Sequence, residues 1–212
     1  DKKNYVLDIG SNDGSCLKFF KKLGYKIIGV DPAIKIAKKA SSEGIKTYPN
    51  FFSFELSKKI KKDYGMCSLI TSHNVLAHID DLDDIMNGVN NILSKDGLFI
   101  IEVGYFADVL KNKWFDTIYH EHLDYHTVYP FKFFFKRHGF QIINVERIKP
   151  QGGSIRIISR RLDNSNIVSS RVDKLIDFEK KIGLFDTKVM NTFSENILLV
   201  KKELKNLLMN IK

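Results

Sequence analysis

Short apolar runs alternate with longer amphipathic segments over the first hundred residues of the chain. Runs rich in β-branched residues predict strands at 5–9, 26–30, 45–48, 67–72 and 98–103. Segments in which apolar residues recur every three or four positions predict helices at 15–23, 32–42, 54–63 and 82–93. Strands that alternate with helices in this way predict a doubly wound, parallel sheet rather than a barrel.

The pattern changes after residue 104. A segment rich in His and Tyr leads to a predicted helix at 131–138 and to two further strands at 141–148 and 154–159. The connection between these strands is short and contains Pro150, Gly152 and Gly153, so the strands should pair antiparallel. The sequence therefore predicts an α/β fold with a doubly wound, mostly parallel, seven-stranded sheet that has an antiparallel edge.

The last part of the chain, at 169–212, is predicted to be helical. Its apolar residues form a narrow stripe that needs a partner surface, and the stripe consists of Met190, Phe193, Ile197, Val200, Leu204, Leu207 and Ile211. We expect a main domain at 1–160 and a helical extension at 161–212. The extension would act either as a joint to a further domain or as a dimer interface.

The composition is that of a folded protein rather than a disordered or collagen-like one. Of 212 residues, 43% are hydrophobic, 12% are aromatic and only 4 are prolines, so ample apolar area is available for a core. No run reaches the roughly 20 apolar residues that a membrane helix needs, and the first residues lead into a predicted strand rather than a signal peptide. We therefore expect a cytoplasmic protein that does not contact a membrane.

The 34 Lys and Arg against 25 Asp and Glu give a formal net charge of +9. Lysines are spread over nearly every amphipathic segment, so no nucleic-acid partner is expected, whereas a small anionic ligand such as a nucleotide diphosphate is compatible. Cys16 and Cys67 lie far apart in the sequence and form no CxxC pair, so neither a disulfide framework nor a zinc cluster is predicted.

A glycine-containing turn follows the first predicted strand. Gly10 and Gly14 allow the backbone to pass close to a ligand, and Asn12 stands where a phosphate-binding GxGxxG turn would have its middle glycine. Asp31 ends the second strand, about twenty residues further on, where a carboxylate can hold both hydroxyls of a ribose. The turn and the acid together predict a ligand that contains a nucleoside but is not held by a phosphate cradle.

These features resemble the Rossmann-like methyltransferases that bind S-adenosyl-L-methionine, which also carry an acidic residue before the glycines, here Asp8. The resemblance implies S-adenosyl-L-methionine as the cofactor and the main domain at 1–160 as its binding domain. It places Gly10, Asn12 and Gly14 along the methionine part, Asp31 at the ribose, Asn50 or Phe51 at the adenine, and Asn74 at the amino acid end. Core packing is the alternative interpretation of Phe51 and Phe52.

Three of the six histidines fall within seven residues of the segment 115–126, FDTIYHEHLDYH. A metal site built from His120, His122 and His126 with Glu121 is one interpretation, because imidazole and carboxylate suit zinc and iron. Surface histidines on a loop are another. General acid–base chemistry is favoured over both, because an imidazole takes a proton near neutral pH while a carboxylate orients it. No metal site is predicted.

The segment FDTIYHEHLDYH, together with SHNVLAHIDDL and GGSIR, resembles the deoxysugar C-methyltransferases, which act on nucleotide-linked 4-keto-6-deoxyhexoses. The resemblance extends from about residue 6 to residue 156. It implies an active site lined by Tyr119, Glu121, His122 and His78, and a second α/β domain beyond the helical extension. Gln151 and Gly104 depart from the family pattern, which has His and Pro at these positions.

The residue types fit carbon methylation, because a proton next to a ketone is acidic enough for a positioned base. His122 would remove that proton, and His78 or Tyr119 would donate a hydrogen bond to the enolate oxygen. Glu121 would either fix the tautomer of an imidazole or hold a sugar hydroxyl. The alternative functions are a small-molecule O- or N-methyltransferase and a module that binds cofactor or a partner without chemistry. The chain is expected to be a monomer or a weak dimer.

Overall fold

The computed structural model describes residues 5–163 and 165–211. The predicted domains at 1–160 and 161–212 also include residues 1–4, 164 and 212, which lie outside the described residues. One sheet contains seven strands, which are β1 Tyr5–Ile9, β2 Lys26–Val30, β3 Thr47–Tyr48, β4 Cys67–His73, β5 Leu93–Gly104, β6 Phe140–Ile148 and β7 Ser154–Arg161. Their order is β3-β2-β1-β4-β5-β7-β6. Strands β1 to β5 pair in parallel, and β7 is antiparallel to both of its neighbours. The predicted fold class is confirmed.

Helices pack against both faces of this sheet. In the described part of the chain they are α1 Ser15–Lys22, α2 Ile34–Ser42, α3 Phe54–Tyr64, α4 Leu82–Ile92, α5 Phe106–Asn112, α6 Val128–Arg137, α7 Ser170–Lys181 and α8 Thr187–Asn210. Val6 of β1 packs with Leu17 of α1 and Ala40 of α2, whereas its neighbour Leu7 belongs to the larger core with residues of α4 and α6. Successive strand residues point to opposite faces, so one strand serves both cores.

Local hydrogen bonds fix where several helices begin. The hydroxyl of Ser53 accepts from the backbone N–H of Leu56 at 3.1 Å at the start of α3. Helix α2 begins at Ile34 rather than at the predicted Pro32, because Oδ1 of Asp31 accepts from the N–H of Ala33 at 2.9 Å and holds the chain in a turn before the helix. The end of β2 thereby keeps the Asp31 carboxylate close to the backbone.

Two further stretches differ from the sequence-based expectation. Part of the loop predicted after residue 104 folds as α5 and as a 3₁₀ turn at Phe115–Thr117. Strand β5 begins at Leu93 rather than at residue 98, with a register shift against β4 between Cys67 and Leu69. The start of β5 depends on the pairing of Leu93 with Cys67 of β4, which periodicity does not report.

The C-terminal region contains two helices instead of one continuous helical stretch. Gly183, with φ of 66°, separates α7 from α8, and a carboxylate oxygen of Asp186 begins α8 by accepting from the N–H of Lys188 at 2.8 Å. A left-handed glycine after a helix is a common helix end, because glycine has no Cβ to clash there.

Helix α7 is attached to the sheet core through a buried carboxylate. Glu179 accepts hydrogen bonds from the N–H of Val128 at 2.7 Å, from the N–H of Tyr129 at 2.9 Å and from the hydroxyl of Tyr105 at 3.0 Å. Burial raises the pKa of Glu179, and the three donors oppose this effect. The first N–H groups of a helix have no partner within the helix, so this carboxylate satisfies the start of α6 while tying α7 to it.

The predicted apolar stripe is exposed in its last part, at Leu204, Leu207 and Ile211. Met190 packs against the core and Phe193 is buried. The exposed apolar side chains toward the end of the chain are Leu198, Leu199, Leu204, Leu207, Leu208, Met209 and Ile211. Within residues 5–163 and 165–211, no helix is both long enough and apolar enough to cross a membrane.

Candidate active site

A large cavity of about 690 Å³ lies at the carboxyl ends of β1, β2 and β4. Open α/β sheets bind ligands in this place, where the chain leaves adjacent strands in opposite directions. The cavity brings together six of the eight predicted cofactor residues, which are Gly10, Asn12, Asp31, Asn50, Phe51 and Asn74. The side chain of Phe51 is 78% exposed, so its ring lies at the mouth of the cavity, whereas Phe52 is buried in the core.

The turn after β1 is left-handed at Gly10, Asn12 and Gly14, with φ of 73°, 49° and 76°. A Cβ atom on Gly10 would lie 2.2 Å from Cγ2 of Val75, and one on Gly14 would lie 2.5 Å from Cδ1 of Ile45. Both glycines are therefore required by close packing of the turn against protein atoms. Gly14 contacts the interior and is outside the lining of the large cavity.

Asp31 is the acid best placed for a ribose. Its carboxylate is largely buried, and it accepts from the N–H of Asn12 at Oδ2 and from the N–H of Ala33 at Oδ1, both at 2.9 Å. Each carboxylate oxygen can accept a further hydrogen bond. Asp8, in contrast, lies within β1, where burial raises its pKa and the hydroxyl of Thr71 donates to it at 2.7 Å.

Asn74 lies where the large cavity meets a second, smaller one. Its backbone is left-handed, with φ of 54°, and its N–H donates to the carbonyl of Glu102 at 2.7 Å. Its side-chain Oδ1 is buried and finds no hydrogen-bond partner in the described part of the chain. Because buried polar atoms are nearly always hydrogen-bonded, this oxygen is an acceptor available to a ligand. Asn74 and His78 line both cavities.

The small cavity, of about 240 Å³, is lined by residues of the 3₁₀ turn Leu76–His78, the end of β5, helix α5 and the segment 114–126. It brings together three of the four predicted catalytic residues, which are His78, Tyr119 and His122. The fourth, Glu121, has an exposed side chain outside the lining of the small cavity. The HEH segment, which is His120, Glu121 and His122, therefore reaches the carboxyl end of the sheet, next to the large cavity.

His122 is held in one tautomer by the backbone. Its Nδ1 donates to the carbonyl oxygen of Thr117 at 2.8 Å, and the hydroxyl of Tyr125 donates to the same oxygen at 3.1 Å. A carbonyl can only accept, so the proton of the neutral ring is on Nδ1 and Nε2 carries a lone pair. The ring centroids of Tyr119 and His78 lie 4.5 Å and 4.9 Å from that of His122. An imidazole arranged in this way is suited to accept a proton at Nε2.

His78 is oriented in the same manner. Its Nδ1 donates to the backbone carbonyl of Glu121 at 2.8 Å, and the N–H of Leu123 donates to the carbonyl of Ala77 at 2.7 Å. These two bonds hold the HEH segment against the 3₁₀ turn that carries His78. The tautomer of each imidazole is thus fixed by a main-chain carbonyl, whereas the carboxylate of Glu121 is exposed.

Other residues at the two cavities were not predicted as site residues. Trp114, the single tryptophan of the chain, packs so closely on the β6–β7 connection that a Cβ on Gly152 would lie 2.6 Å from its ring. Gln151, with φ of 51°, lines the small cavity from this connection. His73 ends β4 and lines the large cavity. Its position at the carboxyl end of a predicted parallel strand could have identified it as a site residue from the sequence.

The segment 120–126 does not gather its histidines around one point. His120 is exposed, whereas His122 and His126 both line the small cavity, with His126 buried against Phe131 at 4.6 Å between ring centroids. Across residues 5–163 and 165–211, no group of three or more His, Cys, Asp or Glu side chains is arranged to hold a metal ion.

Comparison with known families finds two matches along the chain. The family described as a methyltransferase domain matches residues 1–145, and the family described as a C-methyltransferase C-terminal domain matches residues 149–212. The C-methyltransferase NovU of Streptomyces niveus is 31% identical over 206 residues, which are 97% of this chain and 49% of NovU. The chain thus spans about half the length of this curated relative.

Solved structures share the fold at low sequence identity. A SAM-dependent methyltransferase from Anabaena variabilis has a TM-score of 0.60 and 15% identity, over 76% of this chain and 79% of that one. The magnesium protoporphyrin IX methyltransferase of Synechocystis, solved with bound SAH, has a TM-score of 0.57 and 13% identity, over 75% and 74% of the two chains. These similarities show a common architecture and do not extend to the substrate.

Proposed function

The chain belongs to the S-adenosylmethionine-dependent C-methyltransferase family, and we propose that it methylates the carbon next to the ketone of a nucleotide-linked 4-keto-6-deoxyhexose. One observation carries the proposal. The Nε2 lone pair of His122 is available in a cavity that meets the large cavity at Asn74 and His78. S-adenosylmethionine supplies an electrophilic methyl group, so the protein must supply the base that makes a carbon nucleophilic.

The residues of the large cavity fit S-adenosylmethionine, the cofactor of this family. The Asp31 carboxylate has capacity for the ribose hydroxyls, and the exposed ring of Phe51 offers a face for the adenine. The buried Oδ1 of Asn74, which lacks a partner in the described chain, suits the ammonium group of the methionine part. We propose that Gly10, Asn12 and Asn50 complete the site.

Two further predicted cofactor residues have a supporting role in this proposal. Gly14 allows the turn after β1 to pack on Ile45, and the hydroxyl of Thr71 donates to Asp8 within the sheet. Both shape the turn that carries Gly10 and Asn12 without lining the large cavity themselves. Their substitution should therefore weaken cofactor binding through the shape of the turn.

His122 acts as the base in the proposed reaction. The carbonyl of Thr117 keeps the proton on Nδ1, so Nε2 accepts the proton from the sugar carbon beside the ketone. The resulting imidazolium still donates to the Thr117 carbonyl, and the Tyr125 hydroxyl helps to fix that carbonyl in place. The hydrogen bonds that orient the base thus come from within the segment 117–125.

Tyr119 is the favoured donor to the enolate oxygen. The proton of neutral His78 is held on Nδ1 by the Glu121 carbonyl, so Nε2 of His78 accepts rather than donates a hydrogen bond. The hydroxyl of Tyr119 can donate as negative charge develops on the ketone oxygen. We propose that His78 accepts from a sugar hydroxyl and that the exposed Glu121 carboxylate holds another at the cavity mouth.

The size of the small cavity supports a division of the substrate between two parts of the protein. Its volume of about 240 Å³ is below the roughly 300–1,000 Å³ of pockets that enclose a drug-sized ligand. It takes the sugar ring, and the nucleotide extends outside. We propose that residues 1–160 hold cofactor and sugar, and that the extension at 161–212 joins them to a second α/β domain. The exposed apolar face of α8 and the greater length of NovU support this arrangement.

The test measures two steps of the reaction separately. In D₂O with S-adenosylhomocysteine and dTDP-4-keto-6-deoxyglucose, NMR follows exchange of the proton beside the ketone. With S-adenosylmethionine, mass spectrometry and NMR follow formation of a carbon–methyl bond. His122→Asn should slow both steps by about 10²-fold or more and leave cofactor affinity unchanged. The matched control is His120→Asn, which removes an exposed imidazole from the same segment.

The outcomes distinguish the candidate functions. Loss of cofactor binding in His122→Asn would contradict its assignment as the base. Methyl transfer to oxygen or nitrogen, with no exchange at carbon, would replace carbon methylation by the O- or N-methyltransferase alternative. If the wild-type chain binds cofactor but transfers no methyl group, then either the chain is a binding module or the enzyme requires the second domain for activity.

A further inference from the structure

His126 is a buried polar residue at the small cavity that the proposed mechanism does not use. Its side chain is 7% exposed, and the residue lines the same cavity as His122. The Nε2 atom of its ring is buried and has no hydrogen-bond partner in the described stretches 5–163 and 165–211. Unsatisfied buried nitrogens are uncommon in folded proteins, and each one calls for a reason.

The position of this imidazole is rigidly determined. The carbonyl of His126 accepts from the N–H of Phe106 at 3.1 Å, and the residue forms an isolated parallel bridge with Tyr105. Its ring stacks on that of Phe131, with centroids 4.6 Å apart and an angle of 17° between the planes. The ring therefore has little freedom to turn toward another partner within the protein.

A phenyl ring would fill this place without an unsatisfied nitrogen. Phenylalanine has a similar shape and would keep the stacking on Phe131, so an imidazole is retained here at a cost in folding free energy. Groups kept at such a cost are concentrated at functional sites. His126 lines the small cavity, so a ligand bound there is the candidate for the missing partner.

We propose that a hydroxyl group of the sugar in the small cavity is the hydrogen-bond partner of His126, which makes His126 a specificity-determining residue of the methyltransferase. The inference rests on the proposed function. Burial and the nearby His122 lower the pKa of His126 to about 4, so the ring is neutral when the enzyme works. A neutral imidazole matches a hydroxyl, which can both donate and accept, better than it matches a phosphate.

The test compares His126→Phe with His126→Gln in steady-state kinetics on dTDP-4-keto-6-deoxyglucose. His126→Phe should raise KM about tenfold, the loss of one ligand hydrogen bond, with little change in kcat. It should also raise Tm, because the unsatisfied nitrogen is gone. His126→Gln retains a donor and an acceptor and should restore part of the affinity. Val128→Ala, a fully buried neighbour outside the cavity, is the control for general destabilisation and should leave KM unchanged.

A higher Tm with an unchanged KM in His126→Phe would overturn the proposal, since His126 would then be a core residue only.

A second measurement does not depend on turnover or on the variants. In the wild-type chain with S-adenosylhomocysteine bound, the ¹⁵N resonances of the His126 ring should shift when dTDP-4-keto-6-deoxyglucose is added. If the sugar nucleotide binds and these resonances stay unchanged, the inference fails while the proposed function stands. If binding shifts them but the methyl is transferred to oxygen or nitrogen with no exchange at carbon, the proposed function fails while the contact stands.

Discussion

The buried His126 should make the protein sensitive to acid over a defined pH range. Its pKa is lowered from the ordinary 6.5 to about 4, first by burial and second by the nearby His122. In the unfolded chain the imidazole takes up a proton as the pH falls below about 6.5, whereas in the folded protein it stays neutral until about pH 4. Above pH 6.5 the imidazole is neutral in both states and does not lower the free energy of unfolding. As the pH falls from 6.5 to 4, only the unfolded state takes up the proton, so the free energy of unfolding falls.

The magnitude follows from the same two values. At about 1.36 kcal/mol for each pH unit between them, the full loss is about 3 kcal/mol, and the part lost between pH 8 and pH 5 is about 2 kcal/mol. No discount for solvent screening applies, because the side chain is 7% exposed. A loss of this size is a large fraction of the total stability of an ordinary domain.

The assay is urea unfolding of the wild type and of His126→Phe at pH 8, pH 6 and pH 5. The free energy of unfolding of the wild type should fall between pH 8 and pH 5 by about 2 kcal/mol more than that of His126→Phe. Val128→Ala is less stable at every pH but should show the same pH dependence as the wild type, because it adds and removes no ionisable group. If His126→Phe loses as much stability toward pH 5 as the wild type, His126 is not a buried neutral imidazole and the reasoning is refuted.

Three further substitutions test other parts of the structure. Glu179→Gln should lower the free energy of unfolding by about 2 kcal/mol in urea titrations, because an amide nitrogen faces the N–H of Val128 or of Tyr129 where a carboxylate oxygen now accepts; unchanged stability would contradict this contact. Asp31→Asn should weaken S-adenosylmethionine binding about tenfold or more by calorimetry, and it should also lower the free energy of unfolding by about 1 kcal/mol, because its amide nitrogen faces the N–H of Asn12 or of Ala33; equal affinity would remove Asp31 from the ribose site. Leu204→Glu, on the exposed face of α8, should change Tm by less than about 2 °C and should abolish any self-association seen in sedimentation; a large loss of stability would show that this face packs within the chain.

Local pattern accounts for the part of the fold that the sequence alone determined. The bounds of β1 and β2 coincide with the predicted 5–9 and 26–30, and α3 and α4 begin where predicted, at Phe54 and Leu82. These elements are identified by their own residues, since burial on one face or both faces imposes a period of two or of 3.6 on the sequence. The order of the motifs along the chain likewise determined which residues meet at the carboxyl ends of the strands, and six predicted cofactor residues line one cavity.

The tertiary structure decided which groups complete the site. The sequence suggested a carboxylate to orient an imidazole, whereas the acceptors for His122 and His78 are the main-chain carbonyls of Thr117 and Glu121. Every residue carries a carbonyl, so no sequence pattern marks the one that is used. The role of the Glu121 side chain stays a prediction.

Contacts between distant segments decided the rest. Glu179 in α7 finds its donors at Val128 and Tyr105, about fifty and seventy residues away in the chain, and His126 is left beside a cavity without a partner in the described chain. Sequence alone determined those strands and helices whose periodic pattern depends on neighbouring residues. Tertiary structure alone determined which buried polar groups are satisfied within the protein and which are left for a ligand, because that depends on what the fold brings within hydrogen-bonding distance.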